Sequence, residues 1–255
     1  YVAGPGGIAA RLKRLPLIIH EQNAIAGLTN RLLSRLASRV LTGLDASFPG
    51  RAAPTFTGNP VRAAISALSD EASGPPSQRP RLLVIGGSLG ARTLNRVVPA
   101  ALAALPAAER PAVVHQAGER SLDIARTAYG EAAVEADVRP FIDDMAAAYR
   151  DADLVICRAG ALTVSELAAA GRAAVFVPFP HAVDDHQTAN ARFLVDAGAA
   201  RVIAEADLTA GQLASVLREL LGDRDQRAAM AANARRMGRP RAAEQVAGIC
   251  LEAGS

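Results

Sequence analysis

The chain has 255 residues, is 50% hydrophobic and 21% charged, and carries a net charge of +3. That composition supports one large or two modest cores; so small a charge, with six Phe, three Tyr and no Trp, speaks against a nucleic-acid binder. No apolar run reaches the length of a membrane-spanning helix, the first residues do not read as a signal peptide, and Cys157 and Cys250 form no C-x-x-C, so neither a disulfide framework nor a zinc site is expected and a reducing, cytoplasmic setting fits.

In chain order, the first sixty residues read as a helix near Gly7–Arg14, a strand at Leu17–His20, a helix near Leu28–Ala37 and short strands near Arg39–Leu41 and Thr55–Thr57. Tyr1 is not an initiator Met, and "YVAGPGGIAARLKR" begins inside a strand-loop-helix unit, so a segment belonging upstream is expected to be absent. Arg11, Lys13, Arg14, Arg31, Arg35 and Arg39 stand in this region against the single acid Glu21. Such a run is either a solvated helix face or a surface that meets anionic lipid headgroups. "TGNPVR" and the Pro/Ser/Gly-rich "SDEASGPPSQRP" follow, the latter a loop or interdomain connection.

From Arg81 onward, apolar runs at Leu82–Ile85, Ala112–His115, Leu154–Cys157, Ala174–Val177 and Arg201–Ile203 alternate with helical patterns. The helices are expected near Arg92–Leu105, Ser121–Tyr129, Asp144–Arg150, Thr163–Ala170 and His186–Ala197, and the tail from Thr209 is helical, with a last helix after Pro240. Strands alternating with helices, with short continuous Val/Ile/Leu runs, predict βαβ units and a parallel sheet covered on both faces. In such a sheet, ligands bind beyond the carboxyl ends of the strands.

Four loops at those ends carry polar groups. In "LLVIGGSLGARTLN", Gly86, Gly87 and Gly90 surround Ser88 before a helix. Glycines admit a close ligand and the helix N-terminus attracts an anion, but Ser88 breaks G-x-G-x-x-G, no acid ends the next strand, and no Gly-Lys-Ser/Thr is present. A phosphate site without NAD or ATP chemistry fits, against a glycine turn with no ligand. In "RAGALTVSE", Thr163 and Glu166 have the spacing of a capping box, while a carboxylate placed there can also accept both hydroxyls of a ribose. Asp184, Asp185, His186 and Gln187 form either a helix cap with polar neighbours or a set of sugar-hydroxyl ligands, and they lack regular metal-ligand spacing. "HEQN", from His20 to Asn23, closes the first strand with four polar groups.

Together "HEQNAIAGLTNR", "TGNPVR", "GGSLGA", "FIDDMAAAY", "RAGALTVSE" and "PFPHAVDDHQTANA" closely resemble the MurG family, bacterial enzymes that convert lipid I to lipid II in peptidoglycan synthesis. The resemblance implies an α/β protein of GT-B type, two Rossmann-like domains with the first incomplete in this chain. It implies the end of an acceptor domain at 1–60, a connection at 61–80, a donor domain at 81–238, and a C-terminal helix at 239–255 returning toward the first domain. It further implies UDP-N-acetylglucosamine as donor, lipid I as acceptor, inversion, no cofactor, no metal, and a peripheral place on the cytoplasmic face of the cell membrane, held to anionic lipid.

By motif, Ser88 and the Gly86–Ala91 loop would meet the diphosphate, Ile142 the uracil, Ala161, Leu162 and Thr163 the phosphate and nucleoside, and Glu166 the ribose. Gln187, His186 and Asn23 would read the sugar, and Arg62 the nucleotide. The family's first glycine-rich loop, with its His, has no counterpart here. That leaves His20 and Glu21 as catalytic candidates on this chain, with the base itself expected upstream. Other classes compatible with the residues are a non-catalytic UDP-sugar-binding module and another enzyme on the same fold, such as a UDP-sugar epimerase; Ser88 weakens an NAD-dependent oxidoreductase.

Overall fold

The computed structural model describes residues 3–46, 48, 54–71, 79–87, 90–180 and 185–254. Helix α1 (Ala3–Leu12) leads into a small parallel sheet of β1 (Ile18–Glu21), β2 (Arg39–Thr42) and β3 (Thr55–Phe56), in that order, with α2 (Leu28–Leu33) as the first crossover. Ile19, Val40, Leu33 and Phe48 form its core. Helix α3 (Ala63–Ser66) and a 3-10 turn at Ala67–Ser69 precede the second sheet.

That sheet contains β4 (Arg81–Ile85), β5 (Ala112–Gln116), β6 (Asp137–Arg139), β7 (Leu154–Cys157), β8 (Ala174–Phe176) and β9 (Ala200–Val202). Its helices are α4 (Arg92–Ala103), α5 (Leu122–Glu131), α6 (Met145–Asp151), α7 (Ala161–Ala170), α8 (His186–Val195), α9 (Ala210–Gly222), α10 (Arg224–Met237) and α11 (Ala242–Gly254). The strands are all parallel and run β6-β5-β4-β7-β8-β9 across the sheet. Neighbouring residues along a strand serve opposite faces: Leu83, Ile85, Val155 and Phe176 pack with α6 and α7, whereas Leu82, Val84, Ile156 and Val175 pack with α4 and α9. Both faces are therefore apolar, which is why these strands appear in the sequence as unbroken hydrophobic runs.

The sequence expectation misses β6, a three-residue edge strand whose Asp137 and Arg139 face solvent and whose apolar content is one Val. It also misses α3, a single turn inside the connection. No helix among the described residues is long and apolar enough to cross a membrane.

The two sheets are tied at several points. Gly58 has φ +82, and a Cβ there would lie 2.3 Å from Cβ of Arg239, so the Thr57–Asn59 turn packs directly on the segment between α10 and α11. The Arg239 guanidinium sits 4.8 Å from the Phe56 ring centroid, and Phe56 meets Phe193 of α8 edge-on at 6.1 Å. Asn59, buried, donates through Nδ2 to Gln22 O at 3.0 Å and to Ser165 Oγ of α7 at 2.9 Å.

Candidate functional site

Chain order reverses between β4 and β7: β5 and β6 lie on one side, β8 and β9 on the other. Beyond the carboxyl ends of these two strands is the crevice where a doubly wound sheet takes its ligand. Helices α4 and α7 both start there, with Ala91 and Gly160 at their caps, and among the described residues no side chain hydrogen-bonds to their first N–H groups. Two helix N-termini thus offer unsatisfied donors and positive dipole ends on neighbouring strands.

The glycines before α4 are required first by packing. A Cβ at Gly86 would lie 2.9 Å from Gln116 O, and one at Gly90, where φ is +76, would lie 2.5 Å from Ala117 O. Gly87 shares φ +76 but faces open space. Ser88 lies outside the described residues, so its expected place at the diphosphate is not described.

Two buttresses fix the first turns of α4. On one side Thr93 Oγ1 donates to Glu205 Oε1 at 2.6 Å, and Glu205 pairs with Arg158, which also donates to Val177 O at 3.0 Å. On the other, Asn95 Nδ2 donates to Ala117 O at 3.0 Å, while its Oδ1 meets His115 Nε2 at 3.0 Å and His115 Nδ1 meets Tyr129 OH at 3.0 Å. Because Asn95 Oδ1 only accepts, His115 carries its proton on Nε2 and Tyr129 donates to Nδ1.

Burial pushes His115 down to about 4 and raises the Tyr129 phenol. His115 is therefore neutral in the fold, whereas the unfolded chain protonates it near pH 6.5. This stabilisation is complete above pH 6.5 and declines as pH falls toward 4, by about 3 kcal/mol over the window. Glu71, drawn down by its hydrogen bond from Arg150, and Glu219, drawn down by Gln226 and Arg201, act at lower pH. Urea titrations between pH 7.5 and 4.5 should show the decline, and His115→Gln should flatten it while lowering stability throughout. A parallel pH slope in that variant would remove His115 as the cause.

Glu166 stands in the second turn of α7. The capping box suggested by Thr163 and Glu166 is not formed: α7 begins at Ala161, so Thr163 is its third residue and Gly160 its cap. Glu166 Oε1 instead accepts from Arg62 Nε at 3.2 Å and Nη2 at 3.0 Å, and Oε2 accepts from Tyr149 OH at 3.0 Å. The Arg62 side chain is 54% exposed and that of Glu166 14%. Tyr149 was not among the sequence candidates. Its burial and the neighbouring carboxylate hold its phenol well above the ordinary value, so it remains a donor. Buried Ile142 and Ala161 share one core cluster with Tyr149, Leu162 is exposed and Thr163 half-buried.

From α8, Gln187 Oε1 accepts from Ala159 N at 3.2 Å and Phe179 N at 2.9 Å. Half-buried His186 has a buried Nδ1 with no partner among the described residues. Asp185 occupies the cap position of α8 with φ +53 and makes no side-chain cap bond, so the expected Asp cap is absent there; Asp184 lies outside the described residues. Asn23 reaches the crevice from the loop after β1, with Oδ1 accepting from Asn190 Nδ2 at 3.2 Å.

The two catalytic candidates fare differently. Glu21 is buried and accepts from Asn23 N at 3.0 Å, Asn23 Nδ2 at 3.3 Å, Gly27 N at 3.0 Å and Asn30 Nδ2 at 2.8 Å. A carboxylate with both oxygens engaged by four donors shapes the loop after β1, a structural task that accounts for Glu21 without a catalytic one. His20 Nε2 lies 3.0 Å from Gly58 O, which only accepts, so Nε2 carries the proton and only Nδ1 is left for proton uptake.

Two linked groups result: Arg62, Glu166 and Tyr149 on and around α7, and Asn23, Asn190, Ala159 and Gln187 where the loop after β1 meets α8. A groove of about 590 Å³ runs along the face beside α6, from Arg81, Ala112 and Asp137 at the starts of their strands to Arg139, Ile142 and Asp143 at and beyond the end of β6. Among the described residues no group of three or more His, Cys, Asp or Glu could hold a metal ion.

The chain matches the glycosyltransferase family 28 C-terminal domain over residues 81–246 and the N-terminal domain of that family over residues 1–42. It is 59% identical over 254 residues to a protein of Alkalilimnicola ehrlichii named UDP-N-acetylglucosamine--N-acetylmuramyl-(pentapeptide) pyrophosphoryl-undecaprenol N-acetylglucosamine transferase, covering 99% of this chain and 71% of the relative. The crystal structure of Acinetobacter baumannii MurG matches with a TM-score of 0.83 at 42% identity, covering 99% of this chain and 71% of that one. A UDP-GlcNAc 2-epimerase from Neisseria meningitidis, solved with UDP-GlcNAc bound, matches with a TM-score of 0.64 at 11% identity over 98% of this chain and 73% of that one, a likeness of fold alone.

Proposed function

The chain belongs to glycosyltransferase family 28, among the MurG N-acetylglucosaminyltransferases, and from that premise we propose that it serves the transfer of N-acetylglucosamine from UDP-N-acetylglucosamine to the 4-hydroxyl of lipid I, with inversion, giving lipid II. The fold is of GT-B type. The three-stranded sheet is assigned to the acceptor side and the six-stranded sheet to the donor side.

The observation that carries the site assignment is Glu166, a carboxylate at the β4–β7 crevice held by a buried phenol and one exposed, displaceable arginine. When donor binds, Glu166 accepts the ribose hydroxyls and Arg62 turns from it toward the nucleotide phosphates. The N-termini of α4 and α7, with the Gly86–Gly90 loop and Ser88, stabilise the UDP leaving group as charge develops. Ile142 lies against the uracil, Ala161, Leu162 and Thr163 line the nucleotide, and Asn23, His186 and Gln187 meet the sugar. On this chain, proton removal from the acceptor hydroxyl falls to His20 Nδ1 or to a group outside it.

Calorimetry with UDP, UDP-N-acetylglucosamine and ADP tests the proposal. The uridine ligands are expected to bind and ADP to bind at least tenfold more weakly. Equal affinity for UDP and ADP would sink the donor assignment.

The membrane is the second partner we propose. Exposed Ile8, Leu12 and Leu15 on and after α1, with Leu28, Leu32 and Leu36 on and after α2, stand among Arg11, Lys13, Arg14, Arg31 and Arg35. An apolar surface ringed by cations suits the anionic cytoplasmic face of a bacterial membrane, where each basic residue contributes about 1 kcal/mol. Replacing Arg11, Lys13, Arg14 and Arg35 by Gln should lower binding to anionic vesicles by more than tenfold, and unchanged sedimentation would exclude this surface.

A further inference from the structure

Asn190 of α8 is 1% exposed and hydrogen-bonds to three residues in two other segments of the chain. Its Oδ1 accepts from Ala24 N at 2.8 Å, and its Nδ2 donates to Ala159 O at 3.2 Å and to Asn23 Oδ1 at 3.2 Å. An N–H on one side and a backbone carbonyl on the other leave one orientation for the Asn190 amide. Asn23 must then turn its carbonyl toward Asn190. Its opposite side is fixed just as firmly, because Nδ2 donates one proton to Glu21 Oε1 at 3.3 Å and an ionised carboxylate can only accept. The second Nδ2 proton of Asn23 has no acceptor among the described residues.

Gln187 follows the same logic one turn earlier on α8. Its Oε1 takes the N–H groups of Ala159 and Phe179, so Oε1 is committed to the backbone and Nε2 has no acceptor among the described residues. Gln187 and Asn190, three residues apart on one helix face, together grip both polar groups of Ala159.

We propose that Asn190 is a positioning residue that fixes the polarity of the sugar site: through it the Asn23 amide, like that of Gln187, offers a ligand only N–H donors, so the site reads acceptor oxygens of the donor sugar. This rests on the proposed function, in which Asn23 and Gln187 face that sugar. A mismatched amide would leave a donor or acceptor unpaired against the ligand, the kind of penalty on which polar specificity is built.

The test compares UDP with UDP-N-acetylglucosamine by calorimetry, because UDP lacks the sugar and bypasses Asn23 and Gln187. Asn190→Asp keeps the acceptor for Ala24 N but replaces the Nδ2 donor by an oxygen, so the Asn23 amide stands between two acceptors and no orientation satisfies both sides. UDP-N-acetylglucosamine affinity should fall at least tenfold while UDP affinity stays within twofold, and that unchanged UDP binding reports that the variant is folded. Gln187→Glu, which retains the acceptor for both backbone N–H groups and removes only the Nε2 donor, should show the same split should Asn190→Asp fail to fold. Equal losses for both ligands would make these residues merely structural, and no loss for either would equally overturn the proposal. Wild-type protein that binds neither ligand would refute the functional reading first, and this inference with it.

Discussion

Glu166→Gln is expected to weaken UDP binding by about 10- to 100-fold while changing fold stability by no more than about 1 kcal/mol. The two effects separate because the partners of Glu166 differ in burial. Tyr149 is buried, but its hydroxyl needs one acceptor, and the glutamine carbonyl supplies it. Arg62 loses its partner, yet its guanidinium is 54% exposed and returns to water, so an ion pair of the surface kind is all that is lost. A ribose clamp has no such alternative. Two hydroxyls need two acceptors, and hydrogen bonds to a charged acceptor are worth about 1.5–3 kcal/mol each. Calorimetry with UDP beside a thermal melt gives both quantities. Unchanged affinity would leave Glu166 as no more than the partner of Arg62 and Tyr149, and a large drop in melting temperature would make it structural.

Much of the fold was legible because burial on both faces writes parallel strands as plain apolar runs, as "LLVI", "LVIC" and "AVFV" do. The edge strand β6 was not, since an edge needs no second apolar face and Asp-Val-Arg resembles a loop. At the site, local pattern misled where three-dimensional partners decided. Thr163 and Glu166 have capping-box spacing, but the helix starts two residues earlier, at Ala161, and Glu166 faces Arg62, 104 residues away. Glu21 looked like a reactive carboxylate beside His20, and only the fold discloses the four donors around it. Tyr149, His115 and Asn190 carried no sequence signal as site residues. A buried Tyr reads as core, an isolated His as structural, and an Asn in a helix as solvated, until the topology sets each beside its partners.

Those partners give the glycine loop its stringency, and the second large effect is expected at Gly90. Gly87 and Gly90 both have φ +76, so an alanine at either strains the backbone by about 1–2 kcal/mol. Only Gly90 adds a collision, its Cβ falling 2.5 Å from Ala117 O and 3.1 Å from Ser121 Oγ. That carbonyl cannot retreat freely, because Asn95 Nδ2 holds it at 3.0 Å and His115 in turn holds Asn95. Relief therefore requires moving the start of α4 or breaking a buried hydrogen bond, so Gly90→Ala should destabilise the protein by about 3–4 kcal/mol in all. The displaced helix N-terminus should reduce UDP-N-acetylglucosamine affinity more than 100-fold, whereas Gly87→Ala should lose stability through strain alone. Urea midpoints and calorimetry on the pair distinguish strain from collision. Equal destabilisation by the two alanines would show that the α4 buttress yields, and that the glycine loop is set by its dihedral angles and not by its contact with Ala117.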